Sequence, residues 1–334
     1  MDQVAQIRSF NRTVTHQVGA LEGRFLGRDR SLGASRVLCE IGPNGIEVRR
    51  LRARLDLDSG YLSRLLRGLE AEGLIRTSQS SGDGRVRVVT PTTAGKKEVA
   101  VLNRLSDEAA RALLERLTEP QRVALASAMG SVERLLRASA VRLQVERPTS
   151  RAAQYCLTRY FEELAARFDA GFNPARGISA TADELTPPRG YFVLATLHGD
   201  PVGCGALKCH AHFGEIKRMW VADSSRGLGI GKRILQRLED LARKRRIPLL
   251  RLETNKALTE AQALYQASGY REVRPFNNEP YAHHWFEKAL TAARPSVNGR
   301  RSRHSRCRCP AWGLARHHRP SPCCGSVRSG SGAR

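Results

Sequence analysis

The sequence has no run of about 18 apolar residues, so no segment reads as a membrane-spanning helix. Met1 to Arg30 lacks the apolar stretch of a secretory leader, and a cytoplasmic protein with no membrane partner is the expectation. Acidic residues are absent from residues 291–334, which carry ten Lys and Arg. By contrast, residues 1–146 hold 24 basic and 17 acidic residues, and residues 147–290 hold 22 and 15. The formal charge of +24 therefore owes its extremity to the last stretch. With no acidic residue and no sustained apolar period, that tail is expected to be disordered, its arginines either adding non-specific affinity for nucleic acid or belonging to a read-through extension with no role.

Metal-ligand spacing is also missing among the eight cysteines. Cys39, Cys156, Cys204 and Cys209 sit singly in apolar segments, where a small buried thiol is the ordinary role. Cys307, Cys309, Cys323 and Cys324 lie near His304, His317 and His318, but Cys-x-Cys and Cys-Cys do not match the gaps of structural zinc sites. No metal site is expected.

What the chain does contain is Arg226-Gly227-Leu228-Gly229-Ile230-Gly231-Lys232, set between an alternating stretch, Glu215 to Ala222, and a helical one with Ile234, Leu235, Leu238, Leu241 and Ala242 in phase. A strand thus hands over to a helix through glycines, whose backbone N–H groups can approach a phosphate at the positive end of the helix dipole. A P-loop needs Gly-Lys-Ser/Thr, and here Arg233 follows Lys232. A dinucleotide fingerprint would follow the first strand of its unit with Gly-x-Gly leading; here Arg leads and Gly-x-Gly comes last.

That order, Arg-x-x-Gly-x-Gly, resembles motif A of the GNAT acyl-CoA N-acetyltransferases. Downstream, Ala263-Leu264-Tyr265-Gln266-Ala267-Ser268-Gly269-Tyr270 resembles the family's Ala-x-x-Leu-Tyr-x-x-x-Gly-Phe/Tyr. The resemblance covers about residues 150–290 and implies an α/β domain with a mixed sheet. It implies acetyl-CoA as cofactor, with Met219, Trp220 and Val221 along the pantetheine arm, Arg226, Gly227, Leu228, Gly229, Ile230, Gly231 and Lys232 around the pyrophosphate, and Asn255 beside the arm. Tyr265 would protonate the departing thiolate. For the base that deprotonates the amine, Glu215 is the first candidate, because it shares strand parity with Met219; Glu253 and His212 are rivals. Tyr281, His283 and His284 are candidates for the border of an acceptor pocket.

The amino-terminal half has a different grammar. Val4 to Phe25 is compatible with one long helix, Leu32 to Cys39 with a second and Val48 to Leu55 with a third. In the stretch from Gly60 to Glu72, Leu62, Leu65, Leu66 and Leu69 form one stripe, leaving Ser59, Tyr61, Ser63, Arg64 and Arg67 to face a major groove. Strands from Leu74 and over Val86 to Thr90 flank a Ser-Ser-Gly-Asp-Gly-Arg turn, a hairpin that would carry Arg85 and Arg87 to the DNA backbone or the minor groove. Thr118-Glu119-Pro120-Gln121 opens a last helix running towards Val145. Helix, turn, helix and wing in this order resemble the MarR family, which implies a homodimer, joined by its first and last helices, on a pseudo-palindromic double-stranded DNA operator.

The sequence therefore predicts a multidomain chain. A mainly α winged helix-turn-helix domain spans 1–146, an α/β GNAT-like domain with a mixed sheet spans 147–290 after an Arg147-Pro148-Thr149-Ser150 linker, and the basic tail spans 291–334. Two functions fit this organisation: a regulator fused to an enzyme that acetylates a small-molecule or peptide amine, or a transcription factor whose GNAT-like domain senses acyl-CoA without turnover.

Overall fold

The computed structural model describes residues 2–79, 86–169 and 171–290. Arg85, the tip of the expected wing, and the tail from Thr291, with its Cys and His residues, lie outside the described residues.

Helices α1 (Gln3–Gln17), α2 (Leu32–Ile41), α3 (Val48–Leu55) and α4 (Ser59–Ala71) are followed by α5 (Thr93–Glu115) and α6 (Glu119–Ala140). Strands β1 (Ile46–Glu47), β2 (Ile75–Gln79) and β3 (Arg87–Pro91) form an antiparallel sheet in the order β1-β3-β2, the wing. Asp58 opens α4 by accepting from the N–H groups of Gly60 and Tyr61 at 2.8 and 3.0 Å, which holds its carboxyl below the usual range. Leu62, Leu66 and Leu69 then enter a core with Leu38, Leu51 and Leu102. The helix expected from Val4 to Phe25 is shorter: α1 stops at Gln17, Gly19 follows with a φ of +62°, and α1 buries no residue that would extend it.

The second region is a mixed sheet of β4 (Arg142–Glu146), β5 (Gly190–Leu197), β6 (Asp200–Cys209), β7 (Gly214–Val221), β8 (Leu249–Thr254), β9 (Arg271–Val273) and β10 (His284–Ala289), in the order β4-β5-β6-β7-β8-β10-β9. Helix α7 (Arg151–Arg167) covers one face through Cys156 and Leu157, while α8 (Ile230–Lys244) covers the other through Ile234, Leu235 and Leu238. Helix α9 (Thr259–Ala267) adds Tyr265 to the α8 side.

Two sequence expectations change here. The last amino-terminal helix ends at Ala140, not near Val145, because residues 142–146 pair antiparallel with β5 from Arg142↔Thr196 to Glu146↔Phe192. Val141 and Leu143 alternate into the core, so a period of two prevails over helical continuation. The sheet thus begins before the predicted boundary at 146/147, and Arg147–Ser150 is a turn whose Ser150 hydroxyl caps α7. Residues 181–184, read as the start of a short helix, form only turns, with Glu184 accepting from the N–H of Thr181 at 2.9 Å.

Side-chain contacts join the two regions. On α3, Arg50 and Arg54 reach the carboxylate of Asp200, in the β5–β6 turn, at 2.7 and 3.3 Å. From α8, Arg233 donates to the carbonyls of Ala138 and Val141 at 2.7 and 2.8 Å, closing the end of α6.

A further ion cluster ties the segment before α2 to α5. Glu98, 8% exposed, accepts both arms of Arg28 at 2.9 and 2.8 Å and pairs with Arg30, which also holds Glu72. Burial alone would raise the Glu98 carboxyl, but the hydrogen bonds and charges of both arginines outweigh it and hold it below the usual range. Since the folded value lies below the unfolded one, this stabilisation is complete above the unfolded carboxylate value of about 4.3 and is lost as pH falls through the folded value. Glu98→Gln should cost about 3 kcal/mol at neutral pH, measured by urea denaturation, and the gap to the parent should narrow as the solution is acidified below about pH 4.

Candidate functional site

Residues 226–232 connect β7 to α8. Gly227 and Gly229 have φ of +78° and +71°, and Gly229 is the N-cap of α8. No hydrogen bond joins the N–H groups of Gly229, Ile230, Gly231 or Lys232 to an acceptor among the described residues. Those donors point out of the first turn of a helix, where an anion is favoured. A Cβ on Gly227 or Gly229 would meet nothing within 4 Å, so their need for glycine is conformational; at Gly231 it would lie 3.3 Å from Leu264 Cδ2, so the need there is space. Ile230 and Leu228 are buried and pin the loop from beneath.

The loop opens onto a cleft made by two irregularities of β7. Opposite Gly205 of β6, β7 holds two residues, Arg218 and Met219, where the register shifts, and Arg218 takes a φ of +56°. On its other side β7 pairs in parallel with β8 only at Gly214↔Leu250 and Glu215↔Arg251. Beyond that the two strands part, leaving Met219–Val221 and Glu253–Asn255 on either side of a gap.

Two cavities meet at this gap. One, of about 520 Å³, is lined by Met219, Trp220, Val221, Arg226, Gly227, Gly229, Ile230, Gly231 and Lys232, together with Glu163 and Arg167 of α7. The other, of about 130 Å³, lies against Phe161, Phe168, Phe172, Lys217, Arg218, Glu253 and Tyr281. Tyr160, Met219 and Tyr265 border both. The structure therefore brings together all the expected cofactor residues except two. Leu228 is buried below the loop, and Asn255 borders the smaller cavity, where its amide is engaged with the Tyr281 carbonyl at 2.7 Å and the Ala257 N–H at 2.9 Å.

Tyr265 is 5% exposed and its hydroxyl has no hydrogen-bond partner among the described residues. Burial first, and then the charge of Glu253, push it well above the usual phenol range, so it stays protonated. Glu215 fares differently. Its parity with Met219 is broken by the extra residue at the bulge, so the two face opposite sides of the sheet, with Met219 packed on the α8 side. Its carboxylate lies 3.2 Å from His210 Nε2 and borders neither cavity. His212 is exposed in the β6–β7 turn.

Glu253 and Glu279 are the acids that border the smaller cavity, and Glu253 is the more buried. Its side chain is 9% exposed; one oxygen meets Lys217 Nζ, and Oε2 is buried with no partner. Burial raises its carboxyl above the usual range against the opposing pull of Lys217. His283 is exposed, while His284 pairs with Glu272 at 2.7 Å; neither lines the cavity that Tyr281 borders.

Glu163 was not visible as a site residue in the sequence. Its carboxylate takes Trp220 Nε1 at 2.9 Å, Arg226 at 2.6 Å and Arg167 at 3.1 Å, fixing one wall of the larger cavity. Tyr160, Glu163, Leu164 and Arg167 follow helical spacing, so a shared face was legible, but what that face meets was not.

In the amino-terminal region Ser59, Tyr61, Ser63, Arg64 and Arg67 are all exposed on α4, with Arg64 lying over the Tyr61 ring at 5.7 Å. Arg87 is exposed at the start of β3.

Comparison with known proteins agrees with this division. The acetyltransferase (GNAT) family model matches residues 157–270. The uncharacterized N-acetyltransferase YsnE of Bacillus subtilis is 33% identical over 108 residues, 31% of this chain and 72% of that protein. The chain belongs to the GNAT family. A MarR family model matches residues 28–86, so this GNAT member carries a MarR-type winged helix ahead of its acetyltransferase region. An IAA acetyltransferase of Azospirillum brasilense is 39% identical over 99 residues, and the chain spans 63% of that relative's length. A solved GNAT-family acetyltransferase from Staphylococcus aureus is 19% identical, covering 46% of this chain and 100% of that one with a TM-score of 0.39. Among the described residues no helix is long and apolar enough to cross a membrane.

Proposed function

We propose that this chain is a DNA-binding regulator fused to an N-acetyltransferase that moves the acetyl group of acetyl-CoA to an amine. The observation that carries the reading is the run of unpartnered N–H groups at Gly229–Lys232, opening into a strand gap at whose junction the protonated Tyr265 stands. Bound acetyl-CoA supplies an acetyl thioester. The N–H run and Lys232 would hold its pyrophosphate, with Arg226 fixed alongside by Glu163. A backbone N–H at Met219 or Val221 stabilises the charge that develops on the carbonyl oxygen.

Glu253 Oε2, rather than Glu215, accepts the proton of the incoming ammonium, since its raised carboxyl suits a base and it borders the acceptor cavity. The new C–N bond forms as the C–S bond breaks, Tyr265 gives its proton to the leaving sulfur, and the second proton shed by the new amide nitrogen returns to Tyr265. The amino-terminal region binds double-stranded DNA at a pseudo-palindromic operator as a cytoplasmic homodimer. Support for the dimer comes from exposed apolar residues on the two terminal helices of that region: Val4, Ile7, Phe10 and Val14 on α1, and Met129, Leu135 and Leu136 on α6.

Three measurements test the proposal. Gly231→Trp, which crowds Leu264 without touching a left-handed backbone position, should abolish acetyl-CoA binding by calorimetry; retained affinity removes the pyrophosphate role of the loop. Tyr265→Phe keeps the buried ring and should lower single-turnover acetyl transfer by about 10²–10⁴ with acetyl-CoA affinity nearly unchanged. An undiminished rate removes the acid role, while tight acetyl-CoA binding with no thiol release from any amine favours a sensor. Arg64→Ala should cost about 1–3 kcal/mol of operator binding and relax its specificity, whereas Arg87→Ala weakens operator and scrambled DNA alike. Equal losses at fixed salt would remove that division of labour.

A further inference from the structure

The smaller cavity restricts what the amine can be. Its about 130 Å³ is close to the roughly 150 Å³ of a cavity that accommodates one benzene ring. Its wall is aromatic: Phe161 and Phe172 stack at 5.8 Å, and Tyr281 tilts against Phe172 at 4.8 Å. Its polar end is Glu253, whose Oε2 is buried and unpartnered, in a lining that Tyr265 shares. A buried carboxylate oxygen without a donor is costly, and a ligand N–H is what would satisfy it.

The cations that border the cavity are already engaged. Lys217 holds the other oxygen of Glu253, and Arg218 donates to Ser179 Oγ at 3.2 Å and to the Ala180 carbonyl at 2.5 Å. Glu279 takes the N–H of Ile178 at 2.5 Å. Among the described residues lining the cavity Lys217 and Arg218 stand against Glu253 and Glu279, so what distinguishes the site is its aromatic wall and the unpartnered oxygen of Glu253.

Resting on the acetyltransferase reading above, we infer that the acceptor is a primary amine on a single aromatic ring or similarly compact apolar body. Its nitrogen sits on Glu253 Oε2 and its ring lies against Phe161, Phe172 and Tyr281. A polyamine would leave the aromatic wall unmatched.

The test uses the full chain and two probes: 2-phenylethylamine and spermidine. Thiol release from acetyl-CoA should favour 2-phenylethylamine over spermidine by about 100-fold or more in kcat/KM, since the further charges of the polyamine would have to be desolvated against the aromatic wall. Independently of turnover, calorimetry with CoA present should show 2-phenylethylamine binding that is lost in Glu253→Gln and weakened about tenfold in Phe172→Ala. Acetyl-CoA affinity within about twofold of the parent shows that either variant is folded, because neither residue borders the larger cavity. Thiol release that prefers spermidine overturns this inference and leaves the enzyme standing, as does 2-phenylethylamine binding indifferent to both substitutions. Failure of the parent chain to bind acetyl-CoA removes the enzyme and this inference together.

Discussion

The bulge opposite Gly205 is the constraint on which the GNAT region depends. One extra residue in β7, taken up by the left-handed Arg218, turns Met219 to the α8 face, beyond Glu215, the last residue of β7 that pairs with β8. Gly205 makes this possible, because a Cβ there would lie 2.6 Å from both Met219 Sδ and Ile234 Cγ2. Helix α8 can therefore approach the sheet closely enough for its first turn to stand beside the gap. The anion loop, the gap and the Tyr265 hydroxyl are separate in sequence, and this packing brings them to one place.

Helix α8 has further duties. Its first turn presents free N–H groups, its apolar stripe fills the core, and Arg233, one turn in, closes the carbonyl end of α6. The winged helix is attached a second time through Asp200, which draws Arg50 and Arg54 of α3 onto the β5–β6 turn. Two arginines on α3, next to α4, thus face a carboxylate of the GNAT region, while Arg64 and Arg67 stay exposed on α4.

The electrostatics of the gap are asymmetric in a useful way. On the larger cavity, unpaired N–H groups, Arg226 and Lys232 favour anionic groups. The smaller cavity holds carboxylates whose neighbouring cations are engaged, an arrangement suited to an ammonium. Tyr265 lies between them, kept protonated by burial and by the charge of Glu253. The same carboxylate that would draw in the amine therefore helps keep the tyrosine a donor.

The sequence alone determined what is local. The Arg-x-x-Gly-x-Gly turn, the leucine stripe of α4, its Asp58 cap and the capping box of α6 depend on neighbours within a few residues, so pattern and turn chemistry identify them. Only the tertiary structure decided the rest. Parity counting put Glu215 beside Met219 because a bulge is invisible until two strands are paired. Helical continuity carried α6 past Ala140 because the edge of β5 that captures residues 142–146 lies about 50 residues further on. Asn255, expected beside the cofactor, holds Tyr281 instead, and Glu253 gains its unpartnered oxygen from the way Lys217 crosses from the neighbouring strand. In each case the deciding partner is distant in sequence, and the chemistry of a side chain follows from what is left unpaired after distant strands have packed.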